Sequence, residues 1–139
     1  MSLKEKIAER KLNNEIQDVL YGLHIEATED FSYIKNSSEL EILKESQKYA
    51  KILYDIIKTA KKEKDIETYR VLKNLIDEYG KWEERSRREA SRGPGCFGIQ
   101  LILPEDLKKT LNNLYERYLH NEEMKMKKLA NEIDAIVLK

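Results

Sequence analysis

Chain breakers are scarce in this sequence of 139 residues, which holds five glycines and two prolines. Five of those seven (Gly93, Pro94, Gly95, Gly98 and Pro104) fall between residues 93 and 104. A β-sandwich or barrel needs turn residues about every 8 to 12 positions, so an all-β fold is excluded. The single cysteine, Cys96, has no partner for an intramolecular disulfide, which points away from a secreted scaffold and towards a reducing compartment. No apolar run approaches the roughly 18 residues that a membrane helix needs, and the N-terminal segment is amphipathic rather than signal-like. We therefore expect a soluble, cytoplasmic protein without a membrane partner. Nor does charge of one sign dominate: 26 Lys and Arg balance 26 Asp and Glu, which removes the simplest argument for a duplex-binding domain.

Charge and helix formers are what the chain does have. Charged residues make up 37% of it, and Lys plus Glu account for 38 of the 139, a bias shared with hyperthermophile proteins although eight asparagines weigh against it. The length fits one domain over residues 1–139. Its basic excess is local, since residues 81–92 carry five basic and three acidic groups while residues 1–30 carry four and seven.

Ser2 with Glu5 has capping-box spacing, and Leu3, Ile7, Leu12, Ile16, Val19, Leu20 and Leu23 recur at helical intervals, predicting a first helix over residues 3–23. Residues 24–37 lose the period and read as a connection whose Phe31 and Ile34 pack back on the bundle. Ser38 with Glu41 predicts the next cap, opening a helix that ends at Lys61, Lys62 and Lys64. Asp65 caps a third helix carrying Ile66, Tyr69, Leu72, Leu75, Ile76 and Tyr79, joined to the second by a turn tight enough for an antiparallel pair. Beyond Gly80 the apolar stripe stops, Trp82 being the last large apolar side chain before the charged run, and Glu, Arg and Ala allow helix to persist through residues 83–92 without a buried face, leaving helix or disorder open there. Residues 93–98 form a loop, Phe97, Ile99, Leu101 and Leu103 alternate as a short extended segment, and Pro104 suits the first position of a last helix. That last stripe lapses around His120–Glu123 and resumes at Leu129, giving one bent helix or two, with Asn121 capping the second. The predicted fold is all-α: a four-helix bundle with a Gly-rich loop and short extended segment between helices 3 and 4.

Catalytic readings fail on context. Residues 93–98 match G-x-G-x-x-G, but a dinucleotide site needs a strand before the motif and a helix after it, and Pro94 lacks the amide that a phosphate cradle would offer. Cys96 beside Arg92 lacks a signature for a base, with only His24 and His120 in the chain. Glu116 and His120 share a helix face without the duplicated pair that a carboxylate-bridged metal bundle uses. We therefore expect no enzyme, no cofactor and no metal site.

Arginine gives the sharper signal. Four of the seven arginines, Arg85, Arg87, Arg88 and Arg92, lie close behind Trp82, and guanidinium groups beside a tryptophan suit an interface with phosphate or an acidic protein surface. The plain alternative is a solvated helix end with Glu83, Glu84 and Glu89 as internal partners. Residues 97–139 also resemble a ribbon-helix-helix DNA-binding unit, although the strand would offer a groove only Gln100 and Ile102. The expected partner-binding set is Trp82, Arg85, Arg87, Arg88, Arg92, Phe97 and Gln100.

Taken in order, the lysine-rich turn at Ala60–Lys64, the helix from Asp65 to Tyr79, the Arg run, the glycine loop with Phe97 and Gln100, and Leu103-Pro104-Glu105 form a series. It resembles the helical-bundle family of crenarchaeal bicaudaviruses, with the clearest overlap over about residues 60–107. The resemblance implies a four-helix bundle without catalytic activity, and carries over no defined functional residue. Members of that family are virion structural proteins, and one paralogue is an inhibitor that lodges in the DNA channel of host RNA polymerase. The leading expectation is accordingly a viral protein that binds a large protein partner, with host RNA polymerase as the concrete candidate and transcription blocked in its nucleic-acid channel. The alternatives are a self-associating virion subunit and a DNA-binding regulator.

Overall fold

The computed structural model describes residues 2–84, 97–119 and 126–137. Its elements, in order, are α1 (Leu3–Thr28), α2 (Ser37–Glu63), α3 (Ile66–Tyr79), β1 (Gly80–Glu84), β2 (Phe97–Leu101), α4 (Glu105–Leu119) and α5 (Met126–Val137). The described chain is mostly helical, as composition implies. Where four main helices are expected, five are present among the described residues, α4 and α5 flanking residues 120–125, which lie outside them together with the expected cap Asn121. The extended segment is one arm of a two-stranded antiparallel sheet.

Local chemistry explains the boundaries. Ser2 Oγ accepts the Glu5 N–H at 3.2 Å, as the capping spacing predicts. The helix that follows outruns its predicted end at residue 23, because the core-facing stripe continues through a polar residue: Glu26, three positions after Leu23, is equally buried. The predicted connection therefore starts at Glu29 rather than residue 24; within it Phe31 is buried and Ile34 half-buried. Asn36 caps α2 in place of Ser38, its Oδ1 accepting the Glu39 N–H at 3.1 Å. Asn caps as well as Ser does, and Glu39 supplies the same spacing two residues earlier.

At the other end of α2, Lys64 takes a left-handed conformation (φ 59°), and the amides of Lys64 and Asp65 bond the Lys61 and Ala60 carbonyls. This closes the last turn in the Schellman manner without a glycine. Asp65 then caps α3, accepting from the Thr68 amide at 3.2 Å and the Thr68 hydroxyl at 2.6 Å. Pro104 stands just ahead of α4, its carbonyl accepting from Leu107 and Lys108.

Helix α2 is central and touches α1, α3, β2 and α4. Glu26 meets Ser46 at one end of the α1/α2 pair and Gln17 meets Lys61 at the other, so these helices are antiparallel. Along α4 the partners ascend together: Lys108 with Glu45, Asn112 with Tyr49, Tyr115 with Asp55. Helix α4 thus runs parallel to α2. Glu45, followed by Glu105, holds the Lys108 ammonium above its ordinary pKa. The core between these helices contains Leu23, Leu53, Ile57, Leu75, Leu107 and Leu111, all fully buried, each contributing about 1.5–3 kcal/mol relative to exposure. Tyr69 adds a polar tie, its hydroxyl donating to Glu15 at 2.5 Å; burial first, then that bond, pushes the phenol far above its ordinary range. Among the described residues no helix is long and apolar enough to cross a membrane.

Candidate partner-binding surface

Residues 83 and 84, where composition allows helix to persist but does not decide its course, are strand: they belong to β1 with Gly80, Lys81 and Trp82, while 85–92 lie outside the described residues. The reason is tertiary. The Gly80 amide still bonds Ile76 O, but the chain then pairs with β2 in the register Gly80↔Leu101, Lys81↔Gln100, Trp82↔Ile99, Glu83↔Gly98 and Glu84↔Phe97. An isolated hairpin is marginal in water; this one is held by Ile99 and Leu101, both buried, as β2 packs on α1 and α2. A buried polar relay fixes the same end. Ser46 Oγ donates to Glu26 Oε2 at 2.6 Å and accepts the Leu101 N–H at 2.8 Å, tying α1, α2 and β2 together.

Side chains alternate across a sheet, so Trp82 and Phe97 share the face that carries Ile99 and Leu101. Towards the Glu84–Phe97 end that face passes beyond the core. Trp82 is 48% exposed, Phe97 43%, and Tyr21, on the adjoining stretch of α1, 55%. With Asp18 these three line an open cleft of about 390 Å³. The indole is seated by a glycine: a Cβ on Gly22 would lie 2.5 Å from Trp82 Cζ3 and 2.8 Å from Ile99 Cγ1. Only a residue without a side chain lets the hairpin approach α1 this closely.

A second cleft, of about 460 Å³, shares Tyr21 with the first. Gln17, Tyr21 and His24 approach it from α1, spaced i, i+4, i+7 along one helix face. Tyr54, Lys58, Lys61 and Lys62 answer from α2. The His24 and Tyr54 rings are 5.8 Å apart, Lys58 Nζ sits 5.7 Å from the Tyr54 ring centre, and Lys61 Nζ donates to Gln17 Oε1 at 3.0 Å.

Of the residues predicted to meet a partner, the structure brings Trp82 and Phe97 together. It places Gln100 on the opposite face of the hairpin, where its amide nitrogen, turned towards Glu83, donates to Oε1 at 2.7 Å. Arg85, Arg87, Arg88 and Arg92 lie outside the described residues, as do Gly93 to Cys96 and His120. The ribbon-helix-helix order of strand and two helices is present, but β2 takes β1 of the same chain as its partner and gives the Leu101 N–H on its other edge to Ser46. Sequence reasoning missed Tyr21, His24 and Tyr54, whose signal was the helical spacing of non-core residues facing each other across α1 and α2. Among the described residues no three His, Cys, Asp or Glu side chains come close enough to hold a metal ion. We find no family model, no curated protein and no solved structure that matches this chain.

Proposed function

We propose that this protein is a non-catalytic binding module that takes a large protein partner on the surface formed by Tyr21, Trp82 and Phe97. The observation that supports it is the grouping of three large aromatic side chains, each about half exposed, on elements anchored in the core. Trp and Tyr dominate interface energetics because they bury large areas at little entropic cost, and clustered exposed apolar groups mark interaction surfaces. Rigid seating by Gly22 and Ile99 lowers the ordering cost of association. The sequence resemblance supplies the concrete partner, archaeal host RNA polymerase, with transcription blocked by occupation of its nucleic-acid channel.

A pull-down and a transcription assay with purified archaeal polymerase test this reading, using the wild-type chain and a Trp82→Ser, Phe97→Ser double variant checked for helix content by circular dichroism. The expected result is a complex and loss of transcription with the wild type, and binding weaker by at least about tenfold with the variant, the scale of hot-spot residues. No complex and no effect on transcription removes polymerase as the partner. Self-association in sedimentation that the double variant abolishes would favour a virion subunit using the same surface.

A further inference from the structure

We infer that the cleft between α1 and α2 binds single-stranded nucleic acid, with phosphates held by Lys58, Lys61 and Lys62 and a base stacked on Tyr21 or Tyr54. The inference goes beyond the protein-partner reading and stands without it. Although the chain as a whole is neutral, the cleft is not: its described lining carries three ammonium groups and no carboxylate. Phosphate is the anion this set fits. Lysine binds phosphate as a compact point charge, and three such groups converge here beside aromatic rings that a nucleotide can use and a bare carboxylate cannot.

The rest of the lining favours a nucleotide over a bare anion. Tyr21, His24 and Tyr54 place aromatic faces beside the lysines, and base–aromatic stacking along a basic groove is how sequence-tolerant single-strand binders work. A duplex hides the faces of its bases, so a single strand is the form that can use these rings. The existing contacts are ones that a ligand could replace without cost to the core. Lys58 lies over the Tyr54 ring and Lys61 reaches Gln17, both as exposed cations that a phosphate could recruit. The cleft's volume of about 460 Å³ suits one base with its phosphates, and Tyr21 opens it towards the neighbouring aromatic surface, leaving room for the strand to continue.

Fluorescence anisotropy with labelled oligo-dT and oligo-U of about 12 nucleotides tests the inference, since single-strand site sizes run from about 4 to 16. The full chain should bind both at low salt, with log K falling by about two units per decade of salt if three phosphates are neutralised at roughly 0.7 each. Replacing Lys58, Lys61 and Lys62 by Gln should weaken binding at least about tenfold and flatten that slope, with the melting temperature little changed because all three are exposed. Tyr21→Leu should weaken binding about tenfold and leave the slope intact. The triple variant retains Trp82 and Phe97, so protein-partner binding and strand binding fail separately. Absence of binding, or an unchanged slope in the triple variant, overturns the inference. So does displacement of the strand by polyglutamate at equal charge, which would assign the cleft to an acidic protein segment, or equal affinity for a mononucleotide.

Discussion

The two ends of one short hairpin have opposite surroundings. At the Gly80–Leu101 end the inward side chains are covered by α1 and α2, and the Leu101 amide is bonded to a serine that is itself bonded to a buried carboxylate. Four residues along β2, at Phe97, the same face is nearly half exposed and its neighbours are Trp82 and Tyr21. The strands and their pairing are continuous between the two. What changes is the depth of the helices beneath, so one end supplies rigidity and the other an accessible surface. On the proposed function, stability and recognition lie at opposite ends of the same strand.

Substitutions along the hairpin can break that separation. The largest effect is expected for Ile99→Ala: the side chain is fully buried, and its loss should cost about 2–5 kcal/mol in urea denaturation, whereas Phe97→Ala should cost well under half as much. Equal losses at the two positions would erase the distinction. Gly22→Ala comes next. The new methyl would press on both Trp82 and Ile99, and overpacking of this kind costs about 1–3 kcal/mol; a shift of the indole rather than a global loss would appear as altered near-ultraviolet circular dichroism. Ser46→Ala removes the acceptor for the Leu101 amide and one donor to Glu26, with an expected cost of about 1–2 kcal/mol. In that variant hydrogen exchange at Leu101 should quicken more than exchange along α2, which sharpens the claim that the relay anchors β2.

Much of the helical framework was legible in the chain because caps and apolar spacing agree at most boundaries: Ser2 and Asp65 cap as their spacing indicates, and α2 stops within its lysine cluster. Where the reading failed, a polar residue occupied a buried position or a local preference lost to pairing. Glu26 interrupts the apolar period at a site that faces the core, which concealed the last turn of α1. Trp82-Glu83-Glu84 has good helix formers and only one large apolar side chain, so nothing in its own composition announces a strand. Its partner residues begin at Phe97, and local spacing carries no information about that pairing. The candidate surface was half legible for the same reason. Trp82 and Phe97 stand out by type, while Tyr21 joins them only once the hairpin lies across α1 at Gly22, and the lysine cleft exists only once α1 and α2 are aligned antiparallel.

The seating of Trp82 on Gly22 also gives the molecule an optical label of its own. This is the sole indole in the chain, half in water and half against the helix backbone, at the boundary between the anchored and the exposed parts of the hairpin. Its emission should shift to the red when the hairpin leaves α1 and to the blue when a partner covers it. Undocking and capture therefore move one unlabelled signal in opposite directions, so both can be followed in the native chain.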